Sequence, residues 1–274
     1  MDLGDRRHAE QVIRRVGFHL FEAHARFRLA EVKRGSPPAY RPGTTLAQIE
    51  EAIAFDNRLK DHVLKGTRAI ELWLRSTLTY ETSRRFGDPC WHMNDDKLNE
   101  YATIQREKLS KWRRKIREAE EECGVTAGSP LWIISMRLSF GFWSRGYGLL
   151  STAEKVRIAD YFMLEPSTLD NWFLQIVGVR NICSHHTVLW SELMSAIAPA
   201  DGELQNALLN SIRVSPSGRI EHPAMRFYAI HHLLTRIDPQ GQDWADELKA
   251  IVANAPILSL LGFKAGWEHQ PEWK

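Results

Sequence analysis

Apolar residues in this chain recur every three or four positions, and no stretch shows the two-residue alternation of a half-buried strand. That period predicts an all-α fold. Residues 7–33 read as a first helix, broken by the glycine and prolines of GSPP at 35–38. Thr45-Leu-Ala-Gln48 has the pattern of a capping box, in which each side chain satisfies an orphan N–H of the helix start. Leu46, Ile49, Ile53, Leu59 and Val63 continue from it, and the pattern resumes at Ile70, Leu74 and Leu78 after Gly66. FGDPCW at 86–91 reads as a turn, and a highly charged helix is expected over 95–122. Ser129-Pro130 and the capping-box pattern Ser151-Thr-Ala-Glu154 predict two further starts. Pro166 opens a helix expected to run to about Ser195. After a Gly-, Pro- and Ser-punctuated connection over 199–223, two helices are expected near 224–236 and 242–253, then a short aromatic tail.

With 274 residues the chain is long enough to bury a substantial core. Its 36 basic and 34 acidic residues leave a formal charge of +2, which excludes a protein that coats nucleic acid by bulk charge but allows a local basic groove. The three cysteines, Cys90, Cys123 and Cys183, lie far apart and form no C-x-x-C pair, so reduced thiols in a cytoplasm are expected. No apolar run approaches a membrane span, and the N-terminus lacks the apolar core of a secretory signal.

The helix beginning at Pro166 carries an odd set of polar residues. Trp172, Ile176, Val179, Cys183 and Trp190 follow helical spacing and form its core-facing ridge. On an ideal wheel His185 falls about 160° from Cys183, and Arg180 and His186 about 60° to either side. Gly178, Asn181 and His185 then make a narrow strip turned away from the ridge. A mid-helix glycine costs about 1 kcal/mol relative to alanine, and is useful where a ligand or a second helix must approach the backbone. Two such helices across a two-fold axis would unite two arginines with two histidines in a composite site. Histidine moves protons near neutral pH, and arginine binds and neutralises a phosphate. Metal-free RNA cleavage to a 2′,3′-cyclic phosphate and a 5′-hydroxyl suits that set. Spacing alone also fits ordinary surface or core polar residues, because R-x-x-x-x-H arises often by chance.

The string Arg180-Asn-Ile-Cys-Ser-His185-His186, with Leu189-Trp190, resembles the R-N-x-C-A-H-H-x-x-L-W signature of the Abi-like family, the AbiD/AbiF-type abortive-infection proteins of the HEPN superfamily. Phe55-Asp56-Asn-Arg58-Leu59-Lys60 is similar to its F-D-x-x-L-R, and Ile70-Glu71-Leu-Trp-Leu74-Arg75 to its I-E-x-x-L-R. Pro130-Leu-Trp132, Leu138-Ser-Phe-Gly141 and Ser144-Arg145 follow in the family's order, and Leu261-Gly262-Phe263 with Trp267 and Pro271-Glu-Trp273 resemble its close. Ser184 stands where alanine is usual, Ser191 where asparagine often follows the tryptophan, and the N-terminus departs most.

The resemblance implies a HEPN-like helical bundle over 45–198, preceded by an N-terminal helix and loop at 1–44. A C-terminal helical segment at 199–274 would pack on it, the whole forming a single compact unit. It implies a homodimeric endoribonuclease acting in phage defence or as a toxin, with Arg180 and His185 catalytic, Asn181 orienting them, and possible repression by a small non-coding RNA. His186, Glu71, Arg75 and Asp56 are expected in support; Glu71 and Arg75, four residues apart, also suit a plain helix-stabilising pair. The alternative is a non-catalytic module that binds a structured RNA.

The stretch from Lys108 to Arg117 has the ingredients of an RNA-gripping surface: Lys108, Lys111, Arg113, Arg114, Lys115 and Arg117 around Trp112. It suits a solvated helix equally, balanced by Glu118 and Glu120 to Glu122. No metal-binding or nucleotide-binding motif appears, so no metal or cofactor is expected. The tail tryptophans Trp267 and Trp273 read as packing residues.

Overall fold

The computed structural model describes residues 1–274 apart from 1, 3, 31–38, 100–105, 191–193, 200–207, 216–218, 239–240, 254, 256 and 257. The described residues form an all-α fold, whose pairing between extended segments is limited to isolated bridges. Helices α1 (Arg6–Val16) and α2 (Phe18–Ala25) replace the single helix expected over 7–33. Gly17 separates them at φ 83°, a conformation that glycine adopts without a Cβ penalty. The GSPP segment and Ser191 lie outside the described residues.

The axis of the molecule is α3 (Leu46–Ser76), 31 residues and therefore about 46 Å long. Its capping box forms as expected, with Gln48 N–H donating to Thr45 Oγ1 at 3.4 Å and Thr45 N–H to Gln48 Oε1 at 3.3 Å. The helix runs unbroken through Gly66, whose missing side chain lets the C-terminal helices approach. A Cβ there would stand 2.7 Å from Trp244 Nε1 and 2.8 Å from Ile230 Cγ2. A reciprocal pair of bonds locks that contact: His62 Nε2 donates to Trp244 O at 2.9 Å, and Trp244 Nε1 to His62 O at 3.1 Å. A π-helical turn at Thr77–Glu81 then leads into α4 (Thr82–Phe86), which Gly87 ends in the left-handed conformation at φ 60°.

The charged helix α5 spans Arg106–Cys123, shorter than expected, with a separate 3-10 turn at Asp95–Lys97. After the short α6 (Leu131–Ile134) come α7 (Phe140–Leu149), α8 (Thr152–Tyr161) and α9 (Pro166–Ser184). The expected capping box does not form: Ser151 makes no side-chain cap, and Glu154 turns to Arg157 and Arg85. Helices α10 (Pro223–Ile237) and α11 (Gly241–Val252) match expectation, and α12 (Leu258–Leu261) precedes the tail. Helix α3 packs against α2, α7, α9, α10 and α11, and α9 is wedged between α3, α7, α8 and α10. Trp267 and Trp273 are buried, with Phe263 stacked on Trp267 at 3.9 Å and His231 on Trp273 at 5.8 Å. A second, smaller core joins α1 and α2 to the start of α3 through Val12, Phe21, Ala25, Ile49 and Ile53.

Candidate functional site at the end of helix α9

Pro166 occupies the first turn of α9, where its missing N–H costs nothing. Trp172, Phe173, Ile176, Val179 and Cys183 are buried, so the predicted ridge is real up to Cys183. The helix does not continue to Ser195. His185 N–H donates to Asn181 O at 2.9 Å, His186 swings to φ 59°, and Thr187 Oγ1 donates to Ile182 O at 3.2 Å. A left-handed residue cannot extend a right-handed helix, and histidine tolerates it better than bulky residues do. His185 is therefore the C-cap, not a member of the helical strip, and both His185 and His186 are exposed on the turn. Trp190 also leaves the ridge; it lies half-buried, edge-on to His24 at 5.6 Å and 6.1 Å from Phe55.

Residues from the C-terminal end of α3 face this helix end. Glu71 accepts from Arg75 Nη2 at 2.9 Å through one oxygen, and its other oxygen lies 4.0 Å from Arg180 Nη2. Arg180 Nη1 donates to Asn181 Oδ1 at 3.2 Å. The Arg180 side chain remains 36% exposed, enough for its fork to meet a ligand. The structure thus unites Arg180, Asn181, Glu71 and Arg75, with Arg75 also against Met136 Sδ at 3.4 Å. Ser184 Oγ donates to Arg180 O at 2.9 Å, an internal bond of the last turn.

Asp56, about four turns earlier in α3, is wholly buried. It accepts from His24 Nε2 at 3.0 Å, from Lys60 Nζ, and from the backbone N–H of Leu189 at 3.2 Å. Both ring nitrogens of His24 face oxygen acceptors, the second being Leu20 O at 2.8 Å. A buried carboxylate between two side-chain donors and a loop amide fixes where the 185–190 turn re-enters the core. His24 carried no motif of its own, and only the fold brings it to Asp56. Cys183 sits beneath this cluster, and burial, with Asp56 nearby, pushes its thiol up to about 12, so it is no nucleophile.

Helix α5 departs from the gripping surface read from sequence. Trp112 is 3% exposed, stacked on Phe142 at 4.8 Å with Nε1 donating to Phe142 O at 3.2 Å. It therefore cannot offer a face to a base. Lys111 pairs with Glu107 at 2.6 Å, and Lys115 and Arg114 with Glu118 at 2.6 and 3.6 Å. Lys108 and Arg117 are exposed, and Arg113 is half-buried. Among the described residues no three His, Cys, Asp or Glu side chains gather as a metal-ligand set, and no helix is long and apolar enough to cross a membrane.

The protein-family model described as "Abi-like protein" matches residues 12–191, which include α2, α3, α5, α7 and the whole of α9 with its terminal turn. No curated protein and no solved structure matches the chain.

Proposed function

Because this chain belongs to the Abi-like protein family, whose name points to abortive-infection defence, we propose that it is a HEPN-type endoribonuclease that cuts RNA at the end of α9. The observation that carries the reading is that one helix end presents both a partly exposed Arg180, oriented by Asn181 and Glu71, and an exposed His185 one residue past the last turn.

The reaction needs a phosphate clamp and two proton transfers. Arg180 binds the scissile phosphate through its planar fork and stabilises the charge that builds there. The 2′-oxygen forms a bond to phosphorus while the bond from phosphorus to the 5′-oxygen breaks. One imidazole takes the 2′-hydroxyl proton and another delivers a proton to the leaving oxygen. A single His185 cannot do both at once, so a second copy supplies the other. The exposed strip of α9 suits that docking: Leu174 is 54% exposed, and outside the adjoining turns of the helix itself no atom lies within 4 Å of a Cβ built on Gly178. Asn181 holds Arg180, while Glu71 and Arg75 keep its approach angle. His186 supports the site by setting the turn that presents His185. The reading places the protein in the cytoplasm, with RNA as substrate and no cofactor.

The test is purified protein with labelled RNA in EDTA. Arg180→Ala and His185→Ala should each abolish formation of 2′,3′-cyclic phosphate ends while leaving the circular dichroism spectrum unchanged. Undiminished cleavage in both variants would overturn the assignment, and RNA binding with no cleavage by the wild type would favour the non-catalytic module.

A further inference from the structure

The basic residues of α5 divide into two groups once the roll of the helix is known. Buried Leu109, Trp112, Ile116 and Ala119 define its inner face, and the indole bond to Phe142 O holds that roll in place. On one outer flank Lys111, Arg114 and Lys115 are already engaged by Glu107 and Glu118. On the other, Arg106, Ser110, Arg113 and Arg117 follow spacings of 4, 7 and 11 residues, which place them within about 40° of one line. These four, with Leu109 and Asp95, line a concave cleft of about 390 Å³.

The charge in that cleft is unbalanced. Three guanidinium groups face one carboxylate, and among the described residues neither Arg106 nor Arg117 pairs with an acid. Arg113 is held in place: its Nε donates to His92 O at 3.1 Å and its Nη2 to Asp95 Oδ1 at 2.7 Å. Its Nη1 remains for a ligand, on a side chain that is only 20% exposed and has little freedom left to lose. His92 beside it is neutral near pH 7, because burial and the charge of Arg113 lower its pKa to about 4, and so adds no charge. Along the helix axis Arg106 and Arg113 are separated by about 10 Å, and Arg113 and Arg117 by about 6 Å. That is a ladder of planar forks with a hydroxyl between its first two rungs, a match for successive phosphates. The cleft is far smaller than a duplex and suits one strand.

We infer that the Arg106–Arg113–Arg117 cleft on α5 is a second RNA contact, which grips the phosphodiester backbone of a single strand apart from the cutting site. The inference rests on the RNA reading above, and it replaces the broader surface read from sequence: Lys108, Lys111, Trp112, Arg114 and Lys115 drop out, and Arg106 and Ser110 enter.

The test uses the full chain carrying His185→Ala, so that RNA is not consumed, and follows the anisotropy of a labelled single-stranded RNA against salt. Arg106→Gln/Arg117→Gln should weaken binding about tenfold or more and lower the log–log salt slope by about 1.4, since each phosphate contact on a single strand contributes about 0.7. Lys111→Gln/Lys115→Gln, on the same helix with the same loss of charge, should stay within about threefold with the slope unchanged. Equal losses in both would mean long-range charge alone, and no loss in either would empty the cleft of its role; both results overturn the inference. So would competition by polyglutamate as effective as by RNA at equal charge. Cleavage by the wild type decides the nuclease reading separately, so that reading survives if only the cleft fails.

Discussion

Asp56→Ala should be among the most damaging single substitutions in the protein. The carboxylate is fully buried, and so is Lys60, at 3% exposure. Removing Asp56 leaves the Lys60 ammonium without a counter-charge and takes the acceptor from His24 Nε2 and from the Leu189 amide. Breaking a buried pair from one side costs about 3–5 kcal/mol. A stranded buried amide costs about 1–3 kcal/mol, and these losses overlap because they share the one removed carboxylate. A net loss of about 3–5 kcal/mol is expected, which for a chain of this size lowers Tm by roughly 6–20 °C. Urea unfolding followed by the fluorescence of the ten tryptophans measures it, with far-UV circular dichroism as the second probe. The double variant Asp56→Leu/Lys60→Met should recover much of the loss, because the cost is an uncompensated charge rather than a missing volume. A loss under about 1 kcal/mol, the range of an exposed ion pair, would refute the reasoning. So would a double variant no more stable than Asp56→Ala.

Three further outcomes follow from the packing. Gly66→Ala should destabilise by about 1–2 kcal/mol through the clash with Trp244 and Ile230, opposite in sign to the gain of about 1 kcal/mol expected from helix propensity alone; a more stable variant in thermal melts would show that α11 can move away. Exposed Cys123 should react with a thiol reagent within minutes, while buried Cys183, its thiol raised to about 12, should react only on unfolding; mass spectrometry of the labelled peptides distinguishes them. His92, His231 and His232 are held neutral by burial, each lowered to about 4. Between about pH 6.5 and 4 the unfolded chain binds protons that the folded chain refuses, so their contribution is complete above pH 6.5 and falls with pH, by up to about 1.4 kcal/mol per unit for each. Urea midpoints at pH 7, 6 and 5 should decline accordingly, and a flat series would contradict the neutral burial of these rings.

Much of the bundle was legible in the sequence because helical periodicity and capping are local. Thr45 and Gln48 cap α3 through atoms three residues apart, and Pro166, Trp172, Ile176, Val179 and Cys183 announce α9 and its buried ridge from spacing alone. The pairing of Glu71 with Arg75 is likewise a property of one helix turn. Gly17 gives no such signal, because glycine inside an amphipathic pattern is often tolerated and only its backbone angle makes it a break.

What the chain could not reveal by itself was where α9 stops and what stands beside it. No glycine or proline marks the end at Ser184; the left-handed turn at His186 is held because Asp56, more than a hundred positions earlier, captures the amide of Leu189. The approach of Glu71 to Arg180, the link from His24 to Asp56 and the inward turn of Trp112 are likewise contacts between distant segments. Patterns of three and four residues specify which side of a helix is buried. Where that helix ends, and which charged groups meet across its flank, depends on packing energies that exist only when the whole bundle has closed.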